Sequence, residues 1–262
     1  MSGINLPTKG CTKVTKANSS RDLDQEFADT AQRKYAYDFD YRMHEYLLRT
    51  FAADLPAGRA LELGCFEGEF TKRLAGRYAD LTTVEGSGDL ISVARRAAPI
   101  GVQFVHSLFA DFEPHGAFDA VFLIHTLEHL DAPVELLEKI LTWLSPRGRL
   151  FLAVPNALAA SRQIAVAMGL IGAPTAVTAG EFLHGHRRTY DRAALDADVR
   201  RAGLHIQKTG GVFFKPFANF QFDRLIASGV IDEAYLEGCF ALGPRYPELC
   251  ASIYAVCGRP AP

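Results

Sequence analysis

The fold of this chain is decided by residues 59–68, which read RALELGCFEG. The apolar run in this stretch predicts a buried strand, and the glycines that follow predict a tight turn before a helix. Gly64 and Gly68 can adopt backbone angles that are closed to other residues, and they let a ligand approach the main chain. The free amides at the start of the helix attract an anionic group. The stretch therefore predicts a strand, a ligand-binding turn and a helix.

A second strand end is predicted beside this turn. Glu85 closes the next apolar run, Leu81–Val84. The carboxyl ends of neighbouring parallel strands meet at one edge of a sheet, and a carboxylate there can accept hydrogen bonds from ribose hydroxyls. We therefore predict a site for a nucleotide-like cofactor between the turn and Glu85. A dinucleotide-binding G-x-G-x-x-G motif starting at Gly64 is not present, because Phe66 and Glu69 occupy its later glycine positions.

Strands and helices alternate along most of the chain. Nearly continuous apolar strands separated by helical patterns predict a parallel sheet covered on both faces, and hence an α/β fold. In such a sheet, ligands bind at the carboxyl ends of the strands. Five further strands are predicted, at 102–106, 118–124, 149–154, 205–213 and 251–257. Helices are predicted at 70–78, after Glu85 as far as about residue 98, at 134–144 and at 192–202.

The length of 262 residues suits one elaborated α/β domain. Polar, aperiodic residues 1–20 predict a flexible tail, and aromatic residues at helical spacing predict an N-terminal helical arm within 21–56. The domain is predicted at 57–262, with insertions at about 157–190 and, mainly helical, at about 217–242. The first insertion follows the carboxyl end of a strand, which is typical of a lid. A homodimer contact is the alternative for this insertion.

The composition limits the partners of the chain. The formal net charge of −2 and the lack of a long Lys/Arg run argue against nucleic acid as the main ligand. The five cysteines show neither a CxxC pair nor a metal-ligand spacing, so we expect reduced thiols in a cytoplasmic protein. No apolar run is long enough to span a bilayer, so no membrane contact is predicted.

Several further motifs follow one another in a fixed order. They are Glu62-x-Gly64-x-x-x-Gly68, Glu85, Phe118-Asp119, His125-Thr126-Leu127-Glu128-His129-Leu130, Pro146-x-Gly148, Pro155-Asn156 and Ala202-Gly203-Leu204. In this order they resemble the class I S-adenosylmethionine-dependent methyltransferases, including the branch of ubiquinone-biosynthetic O-methyltransferases, over about residues 39–203. The resemblance implies a Rossmann-like, seven-stranded, mostly parallel sheet with one antiparallel strand, and S-adenosylmethionine as the cofactor.

The resemblance also implies a set of cofactor-binding residues. Leu108 and Phe109 would flank the adenine. From the helical arm itself we expect Tyr37, Tyr41 or Arg42 to close over the cofactor, with packing of the aromatic residues on the core as the alternative. Phe66 departs from the family, which commonly has glycine there, so its ring must point away or narrow the pocket. The full set is Glu62, Gly64, Cys65, Phe66, Gly68, Glu85, Gly86, Leu108, Phe109, His125, Tyr41 and Arg42.

Histidines are the main candidates for the acceptor side of the site. His125 and His129 lie where members of the resembled family place residues near the transferred methyl. His186 follows the insertion, and because an imidazole titrates near neutrality we predict that it removes the acceptor's proton, with Tyr190 as a further catalytic candidate. We predict no metal. Some family members bind magnesium at this location, so a site of His125, Glu128 and His129 stays an alternative.

The resemblance implies methyl transfer to a small-molecule acceptor. We expect a hydroxyl or carboxylate oxygen to receive the methyl group, in secondary-metabolite or sugar or polysaccharide biosynthesis. Two alternatives remain, an N-methyltransferase of a small molecule and a non-catalytic S-adenosylmethionine-binding partner protein, the latter suggested by Phe66. The fourth strand ends in Ile124-His125-Thr126, which lacks the Asn/Asp-Pro-Pro-aromatic sequence of methyltransferases that modify bases or protein glutamine.

Overall fold

One sheet organises the computed structural model, which describes residues 23–24 and 37–261. Its strands are β1 Arg59–Leu63, β2 Asp80–Glu85, β3 Gln103–His106, β4 Phe118–Ile124, β5 Leu144–Pro155, β6 His205–Phe214 and β7 Cys250–Gly258. The seven strands are ordered β3-β2-β1-β4-β5-β7-β6. All neighbouring pairs from β3 to β5 are parallel, and β7 is antiparallel to β5 and β6. The predicted mostly parallel, seven-stranded sheet with one antiparallel strand is confirmed.

Helices connect the strands and cover both faces of the sheet. They are α1 Asp38–Phe51, α2 Glu69–Ala75, α3 Gly88–Ala97, α4 Pro133–Trp143, α5 Ala160–Ala167, α6 Ala179–Leu183, α7 Arg192–Arg201, α8 Asn219–Ala227 and α9 Glu233–Leu242. Helix α1 belongs to the predicted N-terminal arm, whereas the predicted tail lies outside the described residues. The first predicted insertion contains α5 and α6, and the second contains α8 and α9.

Alternating side chains along the strands form the core on both faces. In β4, Val121 and Leu123 pack on one face together with residues of α4 and α7. Ala120 and Phe122 pack on the opposite face with residues of α1, α2, α8 and α9. Full burial of each large apolar side chain stabilises the fold by roughly 1.5–3 kcal/mol. This packing on two faces holds the strand ends in fixed positions.

The carboxyl ends of β1 to β6 lie at the same edge of the sheet. Strands β5 and β6 are both antiparallel to β7, so they run in the same direction. This edge carries the residues at or just after the strand ends, which include Gly64, Glu85, His125, Pro155 and Lys215. It is the edge at which α/β sheets bind their ligands.

Strand β5 begins earlier than the sequence predicted. It starts at Leu144 rather than Arg149, because Leu144 already pairs with Phe118 ahead of an irregularity in the ladder. Gly148 approaches β4 so closely that a Cβ there would lie 2.6 Å from the Phe118 carbonyl oxygen. The glycine is therefore part of the strand pair and not of a preceding turn.

The cysteines and the helix lengths bear on the protein's surroundings. Cys65, Cys239, Cys250 and Cys257 are unpaired and buried, and Cys11 lies outside the described residues. Within residues 23–24 and 37–261, no helix is both long enough and apolar enough to cross a membrane.

Candidate active site

The turn after β1 requires glycine at two positions. Gly64 has φ 81° and Gly68 has φ 85°, which is the left-handed region. A Cβ on Gly64 would lie 2.8 Å from Oγ1 of Thr126, and a Cβ on Gly68 would lie 3.0 Å from Cα of Ala94. Phe66 between them is also left-handed, with φ 47°. That backbone angle accounts for the glycine that the resembled family commonly has there.

Glu85 joins this turn to the end of β2. One carboxylate oxygen accepts hydrogen bonds from the N–H groups of Cys65 at 3.2 Å and Phe66 at 3.4 Å. The other accepts from the N–H groups of Gly86 at 2.8 Å and Ser87 at 3.0 Å. Burial raises the pKa of Glu85, and these backbone amides oppose that rise. Because a carboxylate accepts about four hydrogen bonds, contact with ribose hydroxyls would require some of these amides to be released.

Glu62 lies beneath the turn and not at its surface. It is 2% exposed, and its carboxylate accepts hydrogen bonds from the hydroxyls of Thr71 at 2.6 Å and Thr83 at 3.0 Å. Burial raises the pKa of Glu62 to about 7, against the effect of the two hydroxyls. The side chain therefore fastens β1 to β2 and α2.

Two N-terminal segments reach the cofactor side of the edge. The Tyr41 hydroxyl on α1 donates a hydrogen bond of 2.5 Å to the carboxylate of Glu67 in the turn. The Asp24 carboxylate accepts from the Ser87 hydroxyl at 2.5 Å and from the Asp89 N–H at 3.1 Å. Leu23 lies against Gly86, where a Cβ would come within 2.4 Å of the Leu23 Cδ1.

His125 ends β4 in a strained backbone conformation, with φ 48°. Its Nε2 lies 2.8 Å from Oγ of Ser252 on β7, within hydrogen-bond distance. Burial is the main cause that lowers the pKa of His125 to about 3. The imidazole is therefore neutral at physiological pH and is bonded across β5 to β7.

Glu128, His129 and His186 form a compact group beside this strand end. The Glu128 side chain is 2% exposed, and neither of its carboxylate oxygens has a hydrogen-bond partner among the described residues. Burial raises the pKa of Glu128 to about 8 and lowers the pKa of His186 to about 4. One side-chain atom from each of the three lies within 4.8 Å of the others, and the two imidazole centroids are 4.6 Å apart. The group is close enough to share a proton or a divalent cation, and His125 is not part of it.

The insertion after β5 closes over this group. A cavity of about 20 Å³ remains, and among the residues that line it are Glu128, Asn156, Arg162, Glu181, His186 and Arg188. That volume holds roughly one water molecule. The Arg162 guanidinium holds the insertion together by donating to the Glu181 carboxylate and to the carbonyl oxygens of Pro174 and Ala176. Glu128 is buried under the insertion, whereas His129 and His186 are partly exposed, and the role of the insertion as a lid stays a prediction.

A comparison with protein families decides the identity of the fold. The family model described as "Methyltransferase domain" matches residues 32–209, which is more than half of the chain. The chain belongs to this methyltransferase family.

Relatives and solved structures agree with this assignment. The ubiquinone biosynthesis O-methyltransferase of Xanthomonas axonopodis pv. citri is 32% identical over 173 residues, which cover 63% of this chain and 70% of the relative. A possible histamine N-methyltransferase from Thermotoga maritima has a TM-score of 0.63 at 18% identity and covers 91% of this chain and 98% of its own. The N-methyltransferase NodS from Bradyrhizobium japonicum, in complex with S-adenosyl-L-homocysteine, has a TM-score of 0.57 at 16% identity, covering 91% and 97%. The protein is thus an S-adenosylmethionine-dependent methyltransferase.

The predicted cofactor residues of this methyltransferase are mostly gathered at one place. Gly64, Cys65, Phe66, Gly68, Glu85 and Gly86 surround the turn. Leu108 lies next to Gly86, where a Cβ would be 3.4 Å from the Leu108 Cδ2, and Phe109 packs against the core. Tyr41 reaches the turn, whereas Arg42 points outward and pairs with Glu233 at 2.8 Å. The two-glycine cradle suits the backbone approach of S-adenosylmethionine, and the individual contacts stay predictions.

The structure does not bring Tyr190 to the acceptor side. Its side chain is 2% exposed in the core, and its hydroxyl donates to the Asp198 carboxylate at 2.9 Å. Burial raises the pKa of Tyr190 above its usual range. We therefore drop Tyr190 as a catalytic candidate and retain His129 and His186, which the fold does bring together.

Two residues near the lid were missed by sequence reasoning. Arg162 was only part of a weak helical pattern, and its contacts with Glu181 cross a stretch without regular spacing. Lys215 follows β6, and only the direction of that strand relative to β5 places it at the ligand-binding edge. Its position after a strand was the one available signal.

Proposed function

We propose that this methyltransferase transfers the methyl group to a hydroxyl oxygen of a small-molecule acceptor. The observation that carries the proposal is the buried Glu128 carboxyl group, which accepts no hydrogen bond among the described residues and lies beside His129 and His186 at the ligand-binding edge. The curated relatives are named as O-methyltransferases, which supports oxygen as the receiving atom.

The proposed chemistry assigns one task to each residue of the group. S-adenosylmethionine supplies the electrophilic methyl group when bound. His186, whose imidazole is neutral, would accept the proton of the acceptor hydroxyl as that oxygen receives the methyl group. The Glu128 carboxylate stabilises the resulting imidazolium, and the lid excludes water. His129 packs against the His186 ring and orients it.

The test is transfer of isotope-labelled methyl groups to a panel of phenols, catechols and amines, followed by mass spectrometry. We expect hydroxyl acceptors to be methylated, and His186→Ala to lower turnover by roughly 10² or more. Binding of S-adenosylhomocysteine to His186→Ala should be unchanged, because the residue lies on the lid side. His184→Ala is the matched control from the same loop. Methylation of amines alone, or full turnover by His186→Ala, would contradict the proposal.

A further inference from the structure

Lys215 brings a positive charge to the ligand-binding edge from the far side of the sheet. Its N–H donates to the Leu249 carbonyl at 3.3 Å, and its carbonyl accepts from the Ser161 N–H at 2.8 Å. These bonds hold the residue between the end of β6 and the first turn of lid helix α5. The side chain is only partly exposed, and its Nζ lies 5.8 Å from the centroid of the Phe39 ring.

The ammonium group lies near the Phe39 ring of α1, and the Lys215 backbone is bonded to the start of α5. Burial is the main cause that lowers the pKa of Lys215, and the charges of Asp40, Arg162 and Glu181 also influence this pKa. The charge of Lys215 in turn contributes to the lowered pKa of His125, for which burial is the largest cause. The contacts place Lys215 at the end of β6, between α1 and the start of α5, on the ligand-binding edge.

No anion neutralises this ammonium within the part of the chain that the structure describes. No carboxylate oxygen there lies within 4.0 Å of Nζ, and no hydrogen bond from Nζ is formed. The carboxylates that act on it are bonded elsewhere. Asp40 accepts from the Tyr37 N–H at 2.9 Å and the Asn219 amide at 2.6 Å, and Glu181 is bonded to Arg162.

Two arginines near the insertion, Arg162 and Arg187, differ from Lys215 because each pairs with a carboxylate, whereas Arg188 bonds only to carbonyl oxygens and its buried Nε has no partner in the described part of the chain. Arg162 is saturated by Glu181 and by two carbonyl oxygens. Arg187 pairs with Asp131 at 3.4 Å, and Arg188 donates to backbone carbonyl oxygens at 3.0 and 3.1 Å. An ammonium that has no counter-ion of its own can form a charge-assisted hydrogen bond with an incoming group of opposite charge, and such a bond is stronger than a neutral one.

We propose that Lys215 binds a carboxylate of the acceptor, so that the acceptor is an organic acid that also carries the hydroxyl to be methylated. This assignment of substrate class rests on the proposed function, because that reaction brings an acceptor to this edge. A carboxylate is favoured over a phosphate, since one ammonium matches a monoanion and the nearby Asp40 and Glu181 repel a dianion.

The test uses benzoate as a probe anion and benzamide as its uncharged counterpart. Both are titrated by calorimetry, at fixed ionic strength, into protein saturated with S-adenosylhomocysteine. The smaller pair acetate and acetamide is titrated in the same way. We expect a carboxylate to bind the wild type about tenfold or more tightly than its amide, as for a charge-assisted hydrogen bond. Lys215→Met should abolish this difference and Lys215→Arg should retain it.

Lys208→Met is the matched control, because Lys208 lies on the same strand and pairs with Asp54 at 2.7 Å. It should keep the preference for the carboxylate. Equal carboxylate binding by the wild type and Lys215→Met, or no preference for a carboxylate in either pair, would overturn the proposal. A loss of stability in Lys215→Met without any anion preference in the wild type would also overturn it, since Lys215 would then serve only as a counter-charge for Asp40. These titrations need no turnover, so they are read independently of whether oxygen is the methylated atom.

Discussion

At the scale of single residues, the turn after β1 shows how backbone angle and side chain compete. Phe66 has φ 47°, and a left-handed angle costs a residue with a side chain roughly 1–2 kcal/mol. Phe66→Gly removes this strain, but ordering the more flexible glycine on folding costs about 0.5–1 kcal/mol of entropy. The free energy of unfolding measured in urea should therefore change by less than about 1 kcal/mol. Phe66→Val keeps the strain in a β-branched residue and should destabilise by about 1 kcal/mol or more. Weaker S-adenosylhomocysteine binding in the glycine variant alone would show that the ring itself contacts the cofactor.

Glu128 links stability to pH. Burial raises its pKa from 4.5 to about 8, so the folded protein holds a proton that the unfolded chain releases between these values. The stability contributed by the protonated group is complete below about pH 4.5 and is lost as the pH rises through about 8. Glu128→Gln, which is neutral throughout, should therefore be more stable than the wild type at pH 9, by up to about 5 kcal/mol, and similar to it at pH 4.5.

Ionisation of the same carboxyl group should raise turnover, although it lowers stability. Only the ionised form of Glu128 can stabilise an imidazolium at His186, so turnover of the wild type should rise as the pH rises through about 8. Glu128→Gln should lose most of this activity while gaining stability. Glu138→Gln, on the exposed face of α4, is the control for both measurements. If Glu128→Gln were as active as the wild type and no more stable than the wild type at pH 9, both expectations would be contradicted.

At the scale of elements, the lid depends on one guanidinium. Arg162 is 14% exposed in its side chain, and its partner Glu181 is 24% exposed. Replacing Arg162 by Met leaves the Glu181 carboxylate and two carbonyl oxygens without their donor, which costs on the order of 2 kcal/mol. We expect faster amide hydrogen exchange in α5 and α6 and little change elsewhere. Arg200→Met on the exposed face of α7 serves as the control, and unchanged exchange in the lid would show that packing alone closes it.

Most elements of the sheet could be predicted because their patterns are local. β4 was predicted with the bounds Phe118–Ile124 that the structure shows, since Gly116 precedes the run and polar residues from His125 onward end it. The start of β5 was not predicted, because Pro146 and Gly148 indicate a turn unless the pairing partner is known. The contacts of the lid were also beyond sequence reasoning, because Arg162 binds carbonyl oxygens, which carry no side-chain signal.

At the scale of the whole molecule, the cofactor side of the site was more predictable than the acceptor side. Gly64, Gly68 and Glu85 belong to consecutive strand–turn–helix units, so their proximity follows from parallel topology. Lys215 and Ser252 come to the same edge only through the antiparallel pairing of β5, β6 and β7. Side chains that are distant in sequence meet there because of strand direction and register, which residue spacing does not encode.

The hydrogen bond between His125 and Ser252 joins these two halves of the sheet, and its removal should affect both. Ser252 is 1% exposed, so Ser252→Ala leaves the buried imidazole unpaired and should lower the free energy of unfolding by about 1–3 kcal/mol. S-adenosylhomocysteine binding should weaken as well, because the adjacent Thr126 hydroxyl donates to the Leu63 carbonyl before the glycine turn at 3.2 Å. In a double-mutant cycle, His125→Ala and Ser252→Ala together should cost less than the sum of the two changes, since both remove the same bond. Ser228→Ala at the end of α8 is the control. Strictly additive effects, or normal cofactor binding in Ser252→Ala, would show that the two halves of the site act independently.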